Sequence, residues 1–362
     1  MLGSIQALRA IAALGVVIGH LWPEFSRFGY KDFPNFIVGA SGVDLFFVIS
    51  GFVMVYSSTS FFAASRGSRT FSLRRLARIA PLYWLATTLF LVYLIYIFRN
   101  QSIAEMLVIN DLSWPSIAAS YLFWPYPRPG GGTHPALAVG WTLNYEMFFY
   151  VVFAIALFLP RRSAVVAVSA ALLALPEIVP HLGLSPSNPL NIWGAKLIYE
   201  FVYGMWIAMA FLAGWKLPPW LAVMLIAVGI AMVAWTGMDA SGIAVLPRHI
   251  IWGGAAALIV GGATLCRVDI LGRSGAIILL GDSSYALYLL HTTLFAVISS
   301  AIPRYFPSNH PWAYAILLVS SAIVAAIAAH LAFERPLTTA LRRRIARSRA
   351  GNGIAGIVPR ET

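Results

Sequence analysis

With a single cysteine, Cys266, in 362 residues, the chain can form no internal disulfide and no cysteine-based zinc site, and its redox compartment is left open. Charge is also scarce. Asp, Glu, Lys and Arg make up 10% of the residues against 60% hydrophobic ones, and the mean hydropathy is +0.79. Those values exclude a soluble globular domain and point to an all-α polytopic membrane protein. Acidic residues are the rarer sign, 13 against 25 basic ones. No basic amphipathic face accompanies the excess, so nucleic acid is not expected as a partner and the basic residues are read as topology signals in short loops. The N-terminus lacks a basic segment ahead of its apolar run, so the first helix is expected to be retained rather than cleaved as a signal peptide. The seven histidines are scattered with no ligand-spaced pairing to carboxylates, and no metal is expected. Fixed-period repeats and paired Gly/Pro-broken helices are missing as well.

What the chain does have is length of apolar sequence. Ten runs approach the ~20 residues a bilayer requires: 5–22, 36–57, 76–98, 136–160, 163–180, 192–213, 218–236, 247–265, 277–300 and 311–334. If the N-terminus is cytoplasmic, seventeen Lys and Arg residues fall on the inner side and seven on the outer side, which supports cytoplasmic placement of both termini. Residues 1–340 then form one transmembrane domain. Residues 341–362 form a basic tail, expected to be disordered and to have affinity for membrane lipids. The longest outer segment, 99–135, carries the stretch LSWPSIAASYLFWPYPRPGGG, which either caps a cavity or lies passively at the interface on Trp114 and Trp124.

Ionisable residues inside such runs are costly and usually face a cavity or a partner. Under this topology His20, Asp44, Glu146, Glu200 and His291 fall on five helices in the same outer slab. Structural pairing could account for any one of them, and accounts less easily for the set. The segment GDSSYALYLLH adds a polar stripe of Ser284, Tyr288 and His291 at i, i+4 and i+7, with Asp282 expected to cap the start of that helix. On the first helix Arg9 lies eleven positions before His20, which places both on one face about 16 Å apart along the axis. Arg74, Arg75 and Arg78 in FSLRRLARIAPLYW can present toward one inner vestibule. Clustered guanidinium groups suit phosphates, although the positive-inside rule also accounts for them.

Six ordered stretches carry a family resemblance: IQALRAIAALGVVIGH, GVDLFFVISGF, RRLARIAPLYW, WTLNYEMFFY, GDSSYALYLLH and FERP. Together they resemble the acyltransferase-3 family of integral membrane proteins over nearly the whole chain, and within it most closely the rhizobial-type exopolysaccharide O-acetyltransferases. The resemblance implies a ten-helix enzyme that moves an acyl group, commonly acetyl from acetyl-CoA, onto a hydroxyl of a cell-surface or exported glycan. It places the family's Arg–ten residues–His pattern on Arg9 and His20, its Arg-x-x-Arg on Arg75 and Arg78, and its motif glutamate on Glu146. Relatives often carry a second acidic residue where this chain has Met147. The chain resembles the membrane-only form of the family.

O-acyl transfer needs a base or a nucleophile, and histidine fills either role near neutral pH. His20 is the candidate, with Glu146 or Asp44 expected to orient its imidazole. Arg9, Arg74, Arg75 and Arg78 are expected to bind the cytoplasmic acyl-CoA. Glu200, Ser284, Tyr288 and His291 are expected to line the site of a polysaccharide or lipid-linked glycan acceptor. A bacterial inner membrane fits this arrangement. The competing class is a transporter or flippase for a glycan or lipid intermediate, since buried charges also mark transport pathways. A glycerolipid acyltransferase is disfavoured because the His-x4-Asp signature fails at Phe25.

Overall fold

The computed structural model describes residues 2–30, 32–238, 247–268, 274–303 and 306–354. Lys31, Arg273, Arg304 and Arg360, counted above for topology, lie outside them. The chain runs through α1 (Gly3–Gly19), α2 (Leu21–Arg27), α3 (Ser41–Ser57), α4 (Gly67–Ile97), α5 (Ile103–Ile109), α6 (Trp114–Tyr121), α7 (Trp141–Ala156) and α8 (Arg161–Ile178). It continues through α9 (Pro189–Trp193), α10 (Tyr199–Leu212), α11 (Pro219–Met238), α12 (Arg248–Leu265), α13 (Gly275–Asp282), α14 (Ser284–Ala301), α15 (Pro311–Ala329) and α16 (Arg335–Ile354). The extended pairing among the described residues is one isolated bridge, Leu217 to Cys266. Helices are the expected answer in lipid, because each satisfies its own backbone donors and acceptors.

Eight helical stretches among the described residues are long and apolar enough to cross a membrane. The expected span 192–213 does not form a single helix: it is broken by the α9 turn, by Gly194 and by a 3-10 turn at Lys196–Ile198, which leaves α10 with 14 residues. The expected span 218–236 corresponds to α11, a continuous helix of 20 residues. At 31 residues α4 is about 46 Å long, well over a ~30 Å hydrocarbon core, so the end that carries Arg74 and Arg75 extends toward the membrane surface. We call the end of the bundle that holds this arginine-rich start of α4 together with α16 the tail end, and the opposite one the far end.

Small residues set the closest approaches. A Cβ at Gly51 of α3 would stand 2.1 Å from the Phe201 carbonyl oxygen, and one at Gly204 of α10 would stand 1.9 Å from that of Val48. The two backbones touch, as small residues allow where apolar burial gives no driving force. Gly51→Ala must push the helices apart. It is expected to cost about 1–3 kcal/mol, read as a lowered thermal midpoint in detergent.

Two expectations change here. Asp282 does not cap α14. It ends α13, and its carboxylate accepts a hydrogen bond from the Gln6 amide of α1, because Gly281 sits against the Gln6 backbone with no room for a Cβ. The basic stretch from Leu341 continues α16 as far as Ile354, and 355–362 lie outside the described residues. The 99–135 segment packs Met106, Leu107 and Leu112 against Leu94 of α4 and is tied down by Trp84 Nε1 donating to the Tyr121 carbonyl at 2.8 Å. It contributes nothing to the lining of the cavity onto which Arg74, Arg75 and Arg78 face.

Candidate active site

A cavity of about 380 Å³ opens among α1, α3, α4, α7 and α14. Five arginines line it: Arg9 from α1, Arg74, Arg75 and Arg78 from α4, and Arg342 from α16. On α4, Arg74 and Arg75 precede Arg78 by four and three positions, which turns the three toward one side, as the sequence implied. Arg75 donates to Ser57 Oγ and lies over the Phe71 and Tyr150 rings at 5.4 and 5.9 Å. Arg74 lies over Phe61 at 5.1 Å, and its buried Nε has no partner. Arg9 Nη1 donates to Gln6 Oε1 at 3.4 Å, so the Gln6 amide links it to Asp282. At the junction of α15 and α16, a π-turn over His330–Glu334 brings His330 Nδ1 within 2.8 Å of Glu334 Oε2, and the Glu334 carboxylate acts electrostatically on Arg9.

Glu146 lies in this arginine cavity and not with His20. Its Oε1 accepts from Ser50 Oγ at 3.0 Å and from the Tyr150 hydroxyl, and neither bond uses Oε2. The cavity therefore carries five guanidinium groups against one carboxylate. Toward the far end it is roofed by Thr142, Phe46 and Tyr288. The Tyr288 hydroxyl donates to the Val139 carbonyl at 2.7 Å and meets Thr142 Oγ1 at 2.9 Å.

Beyond that roof stand the two histidines. His20 closes α1, and its ring meets the His291 ring edge-on with centroids 4.9 Å apart. His291 is in turn 6.3 Å from the Tyr288 ring. His20 Nδ1 is 2.8 Å from the Val16 carbonyl oxygen, and His291 Nδ1 is 3.0 Å from that of Leu287. A carbonyl oxygen can only accept, so in each ring the hydrogen sits on Nδ1 and Nε2 presents a lone pair. His291 Nε2 is buried with no partner, whereas the His20 ring is half-buried. The two rings are in edge contact, and in the neutral form of each the lone pair is on Nε2.

The remaining acids are engaged elsewhere. Asp44, fully buried, takes a fork from Arg248, with Nε to Oδ1 at 3.0 Å and Nη2 to Oδ2 at 2.7 Å. Arg248 also reaches the Ala40 carbonyl and lies over Trp252 at 4.7 Å. Glu200 packs beside Gly253, and its carboxyl group meets that of Asp44 close to Arg248. The expectation that Glu146 or Asp44 orients His20 is thus not met: a backbone carbonyl does so instead. Ser284 Oγ is buried without a partner and lines neither the cavity nor the histidine pair. Removing Arg248 strands the fully buried Asp44 carboxylate, so Arg248→Met is expected to cost about 3–5 kcal/mol. Adding Asp44→Asn should restore most of the loss in thermal midpoint.

Arg248, Arg342, Gln6 and the His330–Glu334 pair were not singled out from sequence. Arg248 and Arg342 were counted as topology charges. The i, i+4 spacing of His330 and Glu334, inside the FERP region, was the one local signal available.

Residues 2–331 match the acyltransferase domain that defines the acyltransferase-3 family. The exopolysaccharide production protein ExoZ of Rhizobium meliloti (strain 1021) is 36% identical over 334 residues, covering 90% of this chain and 96% of the relative. The acyltransferase MdmB of Streptomyces mycarofaciens is 27% identical over 388 aligned positions, covering 95% of this chain and 93% of the relative. No solved structure matches.

Proposed function

Because the chain belongs to the acyltransferase-3 family and is a multi-pass membrane acyltransferase, we propose that it transfers an acyl group, acetyl in the simplest case, from cytoplasmic acyl-CoA to a hydroxyl of an exported polysaccharide. The bacterial inner membrane is the site this reading requires, with the tail end cytoplasmic. The observation that carries it is the division of the polar interior into an arginine cavity and a histidine pair, separated by Tyr288.

The arginine cavity suits the donor. A coenzyme A phosphate set carries roughly four negative charges at neutral pH, counting a monoester at about −2. Five arginines and one glutamate complement it, and the buried, unpartnered Arg74 Nε is a donor in want of an oxygen. Bound there, the donor supplies an acyl thioester. His20 Nε2 takes the proton of the acceptor hydroxyl as that oxygen bonds to the acyl carbon, and returns it to the sulfur as the carbon–sulfur bond breaks. The Val16 carbonyl holds the tautomer that leaves Nε2 free. His291, whose Nε2 is likewise an acceptor, takes the hydrogen of a neighbouring hydroxyl of the acceptor and so holds the reacting one at His20.

Tyr288 must give way for the two halves to meet, since its ring stands between the cavity and His291. Tyr288→Ala should leave a permanent opening. Acceptor-independent thioester hydrolysis, measured as released thiol, is then expected to rise several-fold while transfer to glycan falls. The reading itself is tested by supplying labelled acetyl-CoA to purified protein in nanodiscs with de-O-acylated polysaccharide. Ester-linked label in the glycan supports it, and movement of glycan without covalent change would favour a flippase.

A further inference from the structure

A second cavity, of about 590 Å³, lies at the far end, within the ~300–1,000 Å³ range of small-ligand sites. Its walls are Arg27 and Phe28 at the end of α2, Tyr93 on α4, and Ala296, Ser299 and Ser300 on α14. Apart from α4, those are the continuations of the two helical stretches that carry His20 and His291. His20, Glu24 and Arg27 stand at i, i+4 and i+7, one face of a 25-residue helical stretch from Gly3 to Arg27. The seam between this stretch and the consecutive helices α13 and α14 is polar at successive levels: Gln6 with Asp282 of α13, His20 with His291, then Glu24 with Ser299 at 2.9 Å.

At the cavity the groups divide by what they have left to offer. Glu24 is 7% exposed and spent, accepting from Ser299 and holding Arg27 Nη2 at 3.4 Å. The Arg27 side chain is 58% exposed, with most of its donors free. Ser300 and Tyr93 use their hydroxyl hydrogens on the carbonyls of Val297 and Ala296, at 2.7 and 3.0 Å, which leaves their oxygens as acceptors. Phe28 and Tyr93 add aromatic faces. Donors, acceptors and ring faces in one cavity match a sugar, which alternates hydroxyl edges with apolar C–H faces, and do not match an acyl chain.

We propose that this far-end cavity is the acceptor subsite and takes a saccharide unit of the glycan, with Arg27 and Ser300 bonding ring hydroxyls while an adjacent hydroxyl reaches His20. The inference rests on the transferase reading above and adds the binding site for its acceptor. The test places a thiol in the cavity, Ser300→Cys with Cys266→Ala, and modifies it from the far side with a charged, membrane-impermeant methanethiosulfonate. Modification should lower glycan acylation at least tenfold relative to the same protein before treatment, without changing acceptor-independent thioester hydrolysis. Oligosaccharides from de-O-acylated exopolysaccharide should slow the modification several-fold. The same treatment of Ser187→Cys, in an exposed loop, should change nothing. Complete modification with acylation intact, or no protection by the oligosaccharides, overturns the proposal. If the untreated protein acylates no glycan, the transferase reading fails on that result, and the protection measurement still decides the cavity.

Discussion

His20→Ala is expected to abolish glycan acylation, lowering the rate by about 10²–10⁴-fold, the contribution typical of a positioned general base. The ring is only half-buried and hydrogen-bonds a single backbone carbonyl, so its removal leaves no stranded charge. The thermal midpoint should therefore move little. Acyl-CoA should bind as before, because His20 takes no part in lining the arginine cavity. Normal binding together with lost transfer separates a catalytic role from a structural one. His291→Ala is expected to fall between the two, since it removes the ring packed at 4.9 Å on His20 together with a buried lone pair that the folded protein leaves unsatisfied.

The second large effect is on the donor. Replacing Arg75 and Arg78 together with Ala should raise the KM for acyl-CoA by about 10²–10⁴-fold, taking ~1.5–3 kcal/mol for each charge-assisted contact. The acceptor KM should stay within about twofold, because these side chains lie across the Tyr288 roof from the histidines. Lysine at both positions should recover only part of the loss. An ammonium keeps the charge and loses the planar fork that meets two phosphate oxygens at once. Wild-type donor affinity should weaken with rising salt, and that dependence should be shallower in the double variant.

Depth along the membrane was legible in the sequence, and direction around each helix was not. Arg9, Arg74, Arg75 and Arg78 were expected together and line one cavity, because their spacing on two helices fixes both level and face. His20 and His291 were expected at one level and meet ring to ring. Asp44, Glu146 and Glu200 were placed at that level too, but a hydropathy pattern that is apolar nearly all round does not say which way a lone carboxylate points. Glu146 turns to Ser50, Tyr150 and the arginines, whereas Asp44 turns to Arg248. Helix boundaries failed where glycine and proline concentrate. The 192–213 run splits at Gly194, and the first helix ends at Gly19, where the Gly39 backbone comes so close that a Cβ there would lie 3.0 Å from the Gly19 nitrogen.

On the proposed function the first helix touches both halves of the reaction, with Arg9 in the donor cavity and His20 beyond its roof, and donor and acceptor are used from opposite faces of one membrane. Sealed vesicles of known orientation, holding protein and polysaccharide with labelled acetyl-CoA confined to one side, measure this directly. Label should enter the glycan when acetyl-CoA meets the tail end and the polysaccharide meets the far end. Equal labelling with both substrates confined to the far side would contradict it.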